Sequence, residues 1–320
     1  MGGQVPFLPA TASAHAGEMN WLFAGLVATS AFILLLVFGL MIVFCVRYRK
    51  GSGADRGDRM TKTWRVEVAW TAAAFVLFMG LYAWGATLYI DLHRPPADAT
   101  DIVVVGKQWM WKVEHPGGQK EIDALHVPVG RPVRLVLSSE DVIHDFAVPA
   151  FRIRQDAVPG RYETLWFTPT EVGDYHLFCA EFCGTDHARM GGTVTVMEPS
   201  DFQRWLDEQG STETLAQEGA ALFRQYGCSG CHGAASTVHA PPLEGLYGRP
   251  VPLASGGTVI ADDRYIRDSI LMPKAQVAAG YPPIMPSFAG QIGEDDLLKI
   301  VAYIKSLGVK SLGTKERPAR

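Results

Sequence analysis

The stretch "HLFCAEFCGTDHARMGG", residues 176–192, sets Cys179, Cys183, His187 and Met190 in the order Cys-x3-Cys-x3-His-x2-Met. In an oxidising compartment two neighbouring cysteines ordinarily pair as a disulfide, and that default must be displaced by the rest of the pattern. Zinc accepts two Cys and two His but seldom recruits methionine. Thiolate and thioether are soft donors and imidazole is intermediate, so the set suits copper better than a hard cation. A further histidine, His144 in "EDVIHDFAVP", lies between predicted strands and joins the candidate donors.

A second cysteine pair stands in "YGCSGCHG", residues 226–233. Cys228-x-x-Cys231-His232 is the attachment signature of c-type haem: two thiols form thioethers and the adjoining histidine becomes an iron ligand. A thioredoxin-like pair would follow a strand. Here Leu215, Leu222, Phe223 and Tyr226 recur at helical spacing just before it, which leaves that reading and zinc as the alternatives. The sixth iron ligand should be a methionine well downstream, either Met272 in "ILMPKAQ" or Met285 in "PPIMPSF". Met285 precedes the last helical pattern and is preferred; Met272 is expected to pack as core. Methionine ligation suits electron transfer rather than an open catalytic site.

These groups need elements to hold them. Residues 21–46 and 68–90 are uncharged apolar runs, each long enough to cross a ~30 Å hydrocarbon core at ~1.5 Å per residue. Residues 1–20 carry no Lys or Arg, so the first run reads as a retained helix rather than a cleaved signal. The loop between the runs holds Arg47, Arg49, Lys50, Arg56, Arg59, Lys62 and Arg65 against Asp55 and Asp58. An excess of basic residues marks the cytoplasmic side, which puts both termini and all later residues outside. Cys45, in the first run, reads as an apolar filler.

From 102 to 196 short β-branched and aromatic runs alternate with Gly and Pro, which predicts an antiparallel sandwich or barrel. Segment 198–212 reads as a short tether. "GEDDLLKIVAYIKSLG" predicts a closing helix whose acidic start and Lys305 end agree with the helix dipole. Its Leu297, Val301, Ile304 and Leu307 stripe would cross the helix before the haem motif. The 320 residues and formal charge of −4 accommodate several domains and give no sign of nucleic-acid binding.

"CAEFCGTDHARM", with the distant His144 in an H-D-F context and "GKQWMW" ahead of it, resembles subunit II of the haem–copper respiratory oxidases. The resemblance covers about 20–200. It implies a cupredoxin domain with a dinuclear copper A centre. Cys179 and Cys183 would bridge the coppers, His144 and His187 would each cap one, and Met190 and the Glu181 carbonyl would be weak ligands. It further implies a magnesium ion on the Glu181 side chain at the contact with subunit I. Trp109 would be the aromatic that passes the donor's electron, and Glu67, before "VAWT", the entry of a proton-uptake path. The plainer readings are a rim aromatic for Trp109 and a helix-start acid for Glu67. The "IMPSF" loop around Met285 is similar to the distal loop of small bacterial cytochromes c, and "APPLEGLYGR" places Pro242 at the proximal haem wall.

The expected fold class is therefore a membrane-anchored multidomain chain: a two-helix hairpin, an all-β cupredoxin-like domain and an all-α cytochrome c domain. The expected divisions are an external segment 1–20, membrane helices 21–46 and 67–90, a cytoplasmic loop 47–66, a copper domain 98–198, a cytochrome c domain 213–309 and a tail 310–320. The resemblance implies an electron-transfer subunit of a proton-translocating cytochrome c oxidase in a bacterial inner membrane. No catalytic residue for oxygen reduction is present in this chain. Its partners would be subunit I, subunit III and an external donor. A copper-A nitric oxide reductase subunit and a free-standing membrane-anchored electron carrier are the competing functions.

Overall fold

The computed structural model describes residues 8–55, 63–209, 214–233 and 236–308. Its first elements are α1 (Ala16–Arg47) and α2 (Trp64–Leu92), both long and apolar enough to cross a membrane. Most of their large apolar side chains are exposed, as a lipid-facing surface requires. Small residues let the two helices approach: Gly25 faces the Trp84 indole and Gly85 faces Leu22. Arg56, Asp58, Arg59 and Lys62 of the basic loop lie outside the described residues.

Ten strands follow: β1 (Thr100–Lys107), β2 (Met110–Glu114), β3 (Lys120–Ile122), β4 (Ala124–Pro128), β5 (Val133–Ser139), β6 (His144–Val148), β7 (Ile153–Ala157), β8 (Glu163–Phe167), β9 (Gly173–Cys179) and β10 (Gly191–Met197). They form two packed sheets, in the orders β3-β2-β1-β5-β8 and β4-β10-β9-β6-β7. Inward-facing side chains, among them Trp111, Phe146, Phe151 and Phe167, fill the space between them. The sandwich is mixed rather than antiparallel, because β1 pairs parallel with β5 and β4 parallel with β10. Between β1 and β5 the chain makes a hairpin and then crosses to the other sheet at β4, so it returns in the same direction. Local patterning specifies a strand but not its partner.

Part of the expected external segment and much of the expected tether are built into this domain. Residues 8–15 lie along it: Ala12 N–H donates to Ala150 O (3.0 Å) and Thr170 N–H to Ala12 O (2.9 Å). Arg152 binds Pro9 O, Ala10 O and Asn20 Oδ1 at 2.9–3.1 Å. Trp166 Nε1 donates to Asp91 O at 3.2 Å, so the ends of both apolar helices meet the sandwich. The expected tether at 198–212 is instead largely helix α3 (Pro199–Glu208), whose Trp205 stacks on His126 at 4.5 Å. Residues 210–212 of that tether lie outside the described residues.

The last domain holds α4 (Leu215–Gln225), α5 (Ser229–His232), a ribbon of β11 (Pro250–Pro252) and β12 (Thr258–Ile260), α6 (Asp263–Leu271) and α7 (Glu294–Ser306). Thr214 and Gln217 form a capping box that starts α4. α4 crosses α7 at Gly219, where a Cβ would stand 1.9 Å from Lys299 O, so only glycine permits the crossing. On α7 the residues at this crossing are Lys299 and Tyr303, the Tyr303 ring lying 5.2 Å from Phe223, while Leu297, Leu298, Val301 and Ile304 of the predicted stripe are buried. The ribbon is an addition to an otherwise helical domain. The tail 310–320 lies outside the described residues. The architecture is thus a membrane-anchored hairpin, a β-sandwich and a helical domain.

Candidate metal centre and haem crevice

One end of the sandwich gathers the soft donors. β9 ends at Cys179, the loop 180–190 returns to β10, and His144 opens β6 beside them. Cys179 Sγ and Cys183 Sγ are 3.7 Å apart, both buried and both free. Nδ1 of His144 stands 3.9 Å from Cys179 Sγ, and Nδ1 of His187 stands 3.5 Å from Cys183 Sγ. Met190 Sδ lies 3.7 Å from Cys183 Sγ. The Glu181 carbonyl lies 3.3 Å from Cys179 Sγ, while its side chain is exposed. All six sequence-chosen groups therefore converge on one place.

The electrostatics fit a cation between the sulfurs. Burial raises the Cys179 thiol, but hydrogen bonding to His144 and to the backbone outweighs it and brings the thiol down to about 7. Burial and the Cys179 sulfur push the Cys183 thiol up to about 12. One thiolate is accommodated and a second is opposed, unless positive charge sits between them. Two sulfurs, two imidazole nitrogens, a thioether and a carbonyl are a copper donor set.

The sequence reading missed what holds these ligands. Asp141 Oδ1 lies 2.9 Å from His144 Nε2, which orients the ring with Nδ1 toward Cys179. The Asp141 carboxylate also accepts the N–H groups of Gln108 (2.8 Å) and Val142 (2.7 Å). Gln108 Nε2 donates to Cys183 O at 2.7 Å. The one available signal was Gly106, an isolated glycine inside a strand-like run, which marks a close approach.

Trp109 occupies the β1–β2 turn, half-buried, with its ring beside Gly184 of the copper loop. Glu67 lies in the first turn of α2 and accepts a 2.6 Å hydrogen bond from Thr63 Oγ1. It belongs to the end of α2 away from the sandwich.

In the helical domain Cys228, Cys231, His232 and Met285 line one apolar crevice with Phe223 and Ile304. His232 Nδ1 donates to Pro241 O at 3.0 Å, which leaves Nε2 free as an iron ligand. The proximal prolyl contact is thus made by Pro241, ahead of the expected Pro242. Met272 is not core: it is 52% exposed and sits outside that crevice. It caps the C-terminal end of α6. The crevice geometry fits a haem bound through the motif.

Residues 3–84 match the family model "Cytochrome C oxidase subunit II, transmembrane domain" and 119–197 match "Cytochrome C oxidase subunit II, periplasmic domain". Residues 216–308 match "Cytochrome c". "Cytochrome c oxidase subunit 2" of Thermostichus vulcanus is 32% identical over 253 residues, covering 62% of this chain and 77% of that protein. This chain belongs to the cytochrome c oxidase subunit II family. The namesake from Alkalihalophilus pseudofirmus is 26% identical, covering 91% of this chain and 89% of its own length. The crystal structure of the periplasmic domain of subunit II from Bradyrhizobium japonicum is similar at 32% identity and a TM-score of 0.35, covering 36% of this chain and 96% of that one.

As a subunit II, the chain is part of an oxidoreductase complex of the haem–copper oxidase kind. Its membrane hairpin anchors a copper domain of cupredoxin type and a cytochrome c domain. These domains imply binding of copper A and of haem, and the cluster of His144, Cys179 and Cys183 is where the described residues can hold a metal.

Proposed function

We propose that this chain is the electron-transfer subunit of a terminal oxidase, taking electrons from an external donor at haem c and delivering them through copper A to subunit I. The observation that carries the reading is the pair of buried thiols 3.7 Å apart with an imidazole nitrogen facing each. Cys179, Cys183, His144 and His187 would hold the coppers, with Met190 and the Glu181 carbonyl as weak donors. Cys228 and Cys231 would hold the haem, with His232 and Met285 as its iron ligands. When bound, the metals supply one-electron transfer without bond making. The protein's part is to keep the ligands fixed, which the β-sandwich does by setting His144 and Cys179 at strand ends and tying the loop 180–190 between β9 and β10.

The Glu181 side chain is assigned to magnesium at the subunit I contact, Glu67 to proton uptake and Trp109 to direct entry of a donor's electron. Exposed Phe182, Val142 and Ile143 in the copper loops supply an apolar surface for a partner. That surface favours docking on subunit I over a free-standing carrier. The basic residues Arg47, Arg49, Lys50 and Arg65 set the loop between the helices on the cytoplasmic side, with both redox domains outside. Subunit III is expected in the same complex.

The matured full chain should give a low-spin c-type spectrum together with a mixed-valence dinuclear copper signal. Replacing Cys228 and Cys231 with alanine should remove the haem, leave the copper signal, and slow copper reduction by the natural donor. A mononuclear copper signal would defeat the bridging assignment. Full-rate copper reduction without haem would make the cytochrome domain a side branch. Copurification of subunit I in mild detergent tests the partner.

A further inference from the structure

The cytochrome domain is seated on the copper domain, and its closing helix is pinned there at both ends. At the start of α7, Glu294 Oε1 accepts Ser138 Oγ–H from β5 at 3.0 Å. Arg267 of α6 grips the same carboxylate through Nε (3.2 Å) and Nη2 (3.3 Å) and lies over the Tyr162 ring of the sandwich. Beside it Asp295 Oδ2 receives Lys112 Nζ of β2 at 3.1 Å, and Lys112 also pairs with Glu140. At the other end Lys305 reaches Asp101 of β1 at 3.4 Å and Asp263 at 2.9 Å. Val105, Val136 and Tyr162 of the sandwich are buried in one apolar cluster with Leu297, Leu298 and Val301.

This joint is specific rather than greasy. Ser138 is fully buried and Arg267 is 4% exposed, yet both are partnered. The Arg267–Glu294 pair holds the carboxylate inside the cytochrome domain, and any docking that removed Glu294 from the buried Ser138 hydroxyl would leave that hydroxyl unpaired, so the contact fixes register.

The register points at one ligand. Ser138 is followed by Ser139, whose Oγ lies 3.4 Å from Asp141 Oδ1, and that carboxylate holds His144 Nε2 at 2.9 Å. α7 itself lines the haem crevice through Ile300 and Ile304. A continuous path of bonds and hydrogen bonds therefore runs from the crevice wall through Glu294, Ser138, Ser139 and Asp141 to His144. Trp109 adjoins Gln108, whose N–H also donates to Asp141 at 2.8 Å, but its own Nε1 has no partner among the described residues and so makes no hydrogen bond to the cytochrome domain.

We propose that Glu294 and Asp295 dock the haem domain on the Ser138–Asp141 segment, so that the haem's electron enters the copper pair from the His144 side and not through Trp109. The proposal rests on the functional reading above. In the step one electron leaves ferrous haem and is gained by the copper pair; no bond forms and no proton moves. Ser138, Glu294 and Asp295 act as positioning residues.

The test uses the full chain in its assembled complex, carrying Ser138→Val, Asp295→Ala or both. Two readouts are taken: amide exchange over 133–139 and 294–306, and the haem-to-copper transfer rate after flash reduction of the haem. Exchange should quicken in both segments, and transfer should slow by about tenfold in the double variant, the shift that 1.4 kcal/mol of weakened docking produces. Glu294→Gln, which keeps an acceptor for Ser138, should retain most of the rate. Unchanged transfer in the double variant overturns the proposal, as does a slowing by Trp109→Phe that matches it. Loss of either metal's spectrum in the unaltered chain would instead overturn the functional reading, so the two failures are distinguishable.

Discussion

Gly106 on β1 faces the His144 ring across the sandwich so closely that a Cβ would stand 2.8 Å from its Cδ2 and 3.1 Å from its Cγ. The imidazole cannot retreat, since Asp141 holds its Nε2 and Trp111 packs at 5.8 Å. Gly106→Ala should therefore displace a copper ligand and cost about 1–3 kcal/mol through overpacking. A changed hyperfine pattern in the copper EPR signal and a lowered copper content per chain are the expected results. An unchanged signal would mean the ring is not a ligand.

Met285→Ala should leave the haem attached but take it out of its low-spin state, because the side chain lines the crevice that holds Cys228 and Cys231. Met272→Ala should leave the spectrum as it was, since Met272 is exposed outside that crevice. Absorption spectra of the two variants decide between them. A disturbance from Met272 alone would reverse the assignment.

The seat of α3 should be acid-labile through Glu121. Burial opposes ionisation of this carboxyl, but hydrogen bonds from His115 (2.8 Å) and His126 (2.5 Å side chain, 3.0 Å backbone) outweigh it and bring it down to about 2. The folded form thus favours the carboxylate. Its contribution is complete above the ordinary value of 4.5 and is lost as pH falls from there toward 2. At about 1.4 kcal/mol per unit this amounts to about 3 kcal/mol. Amides 199–208 should exchange faster as the pH drops through that window, and Glu121→Gln should abolish the pH dependence.

Glu67→Gln should slow oxygen consumption of the assembled complex while copper reduction stays fast. The carboxylate sits in the first turn of α2 with Thr63 as its hydrogen-bond donor, at the membrane end remote from the redox domains. A proton-gathering role predicts this split between electron entry and turnover. Equal rates in variant and parent would leave Glu67 as a helix-start acid.

The copper loop and the haem motif were legible in the sequence because their ligands are local. Cys179, Cys183, His187 and Met190 fall within one turn-rich loop, and Cys228, Cys231 and His232 within one helical turn. Apolar run length likewise determined the membrane hairpin, and helical spacing determined which α7 side chains are buried. Strand pairing was not legible, since a β-branched run reads the same whether its neighbour is parallel or antiparallel. Nor was the support of His144: Gly106, Asp141 and Cys179 meet only after strands of two sheets close over one another. The seating of the haem domain belongs to the same class. Ser138 and Glu294 are 156 residues apart, and only tertiary packing brings them within hydrogen-bond range. Sequence spacing decides what can chelate within one loop; the three-dimensional fold decides which distant groups orient the chelate and from which side an electron arrives.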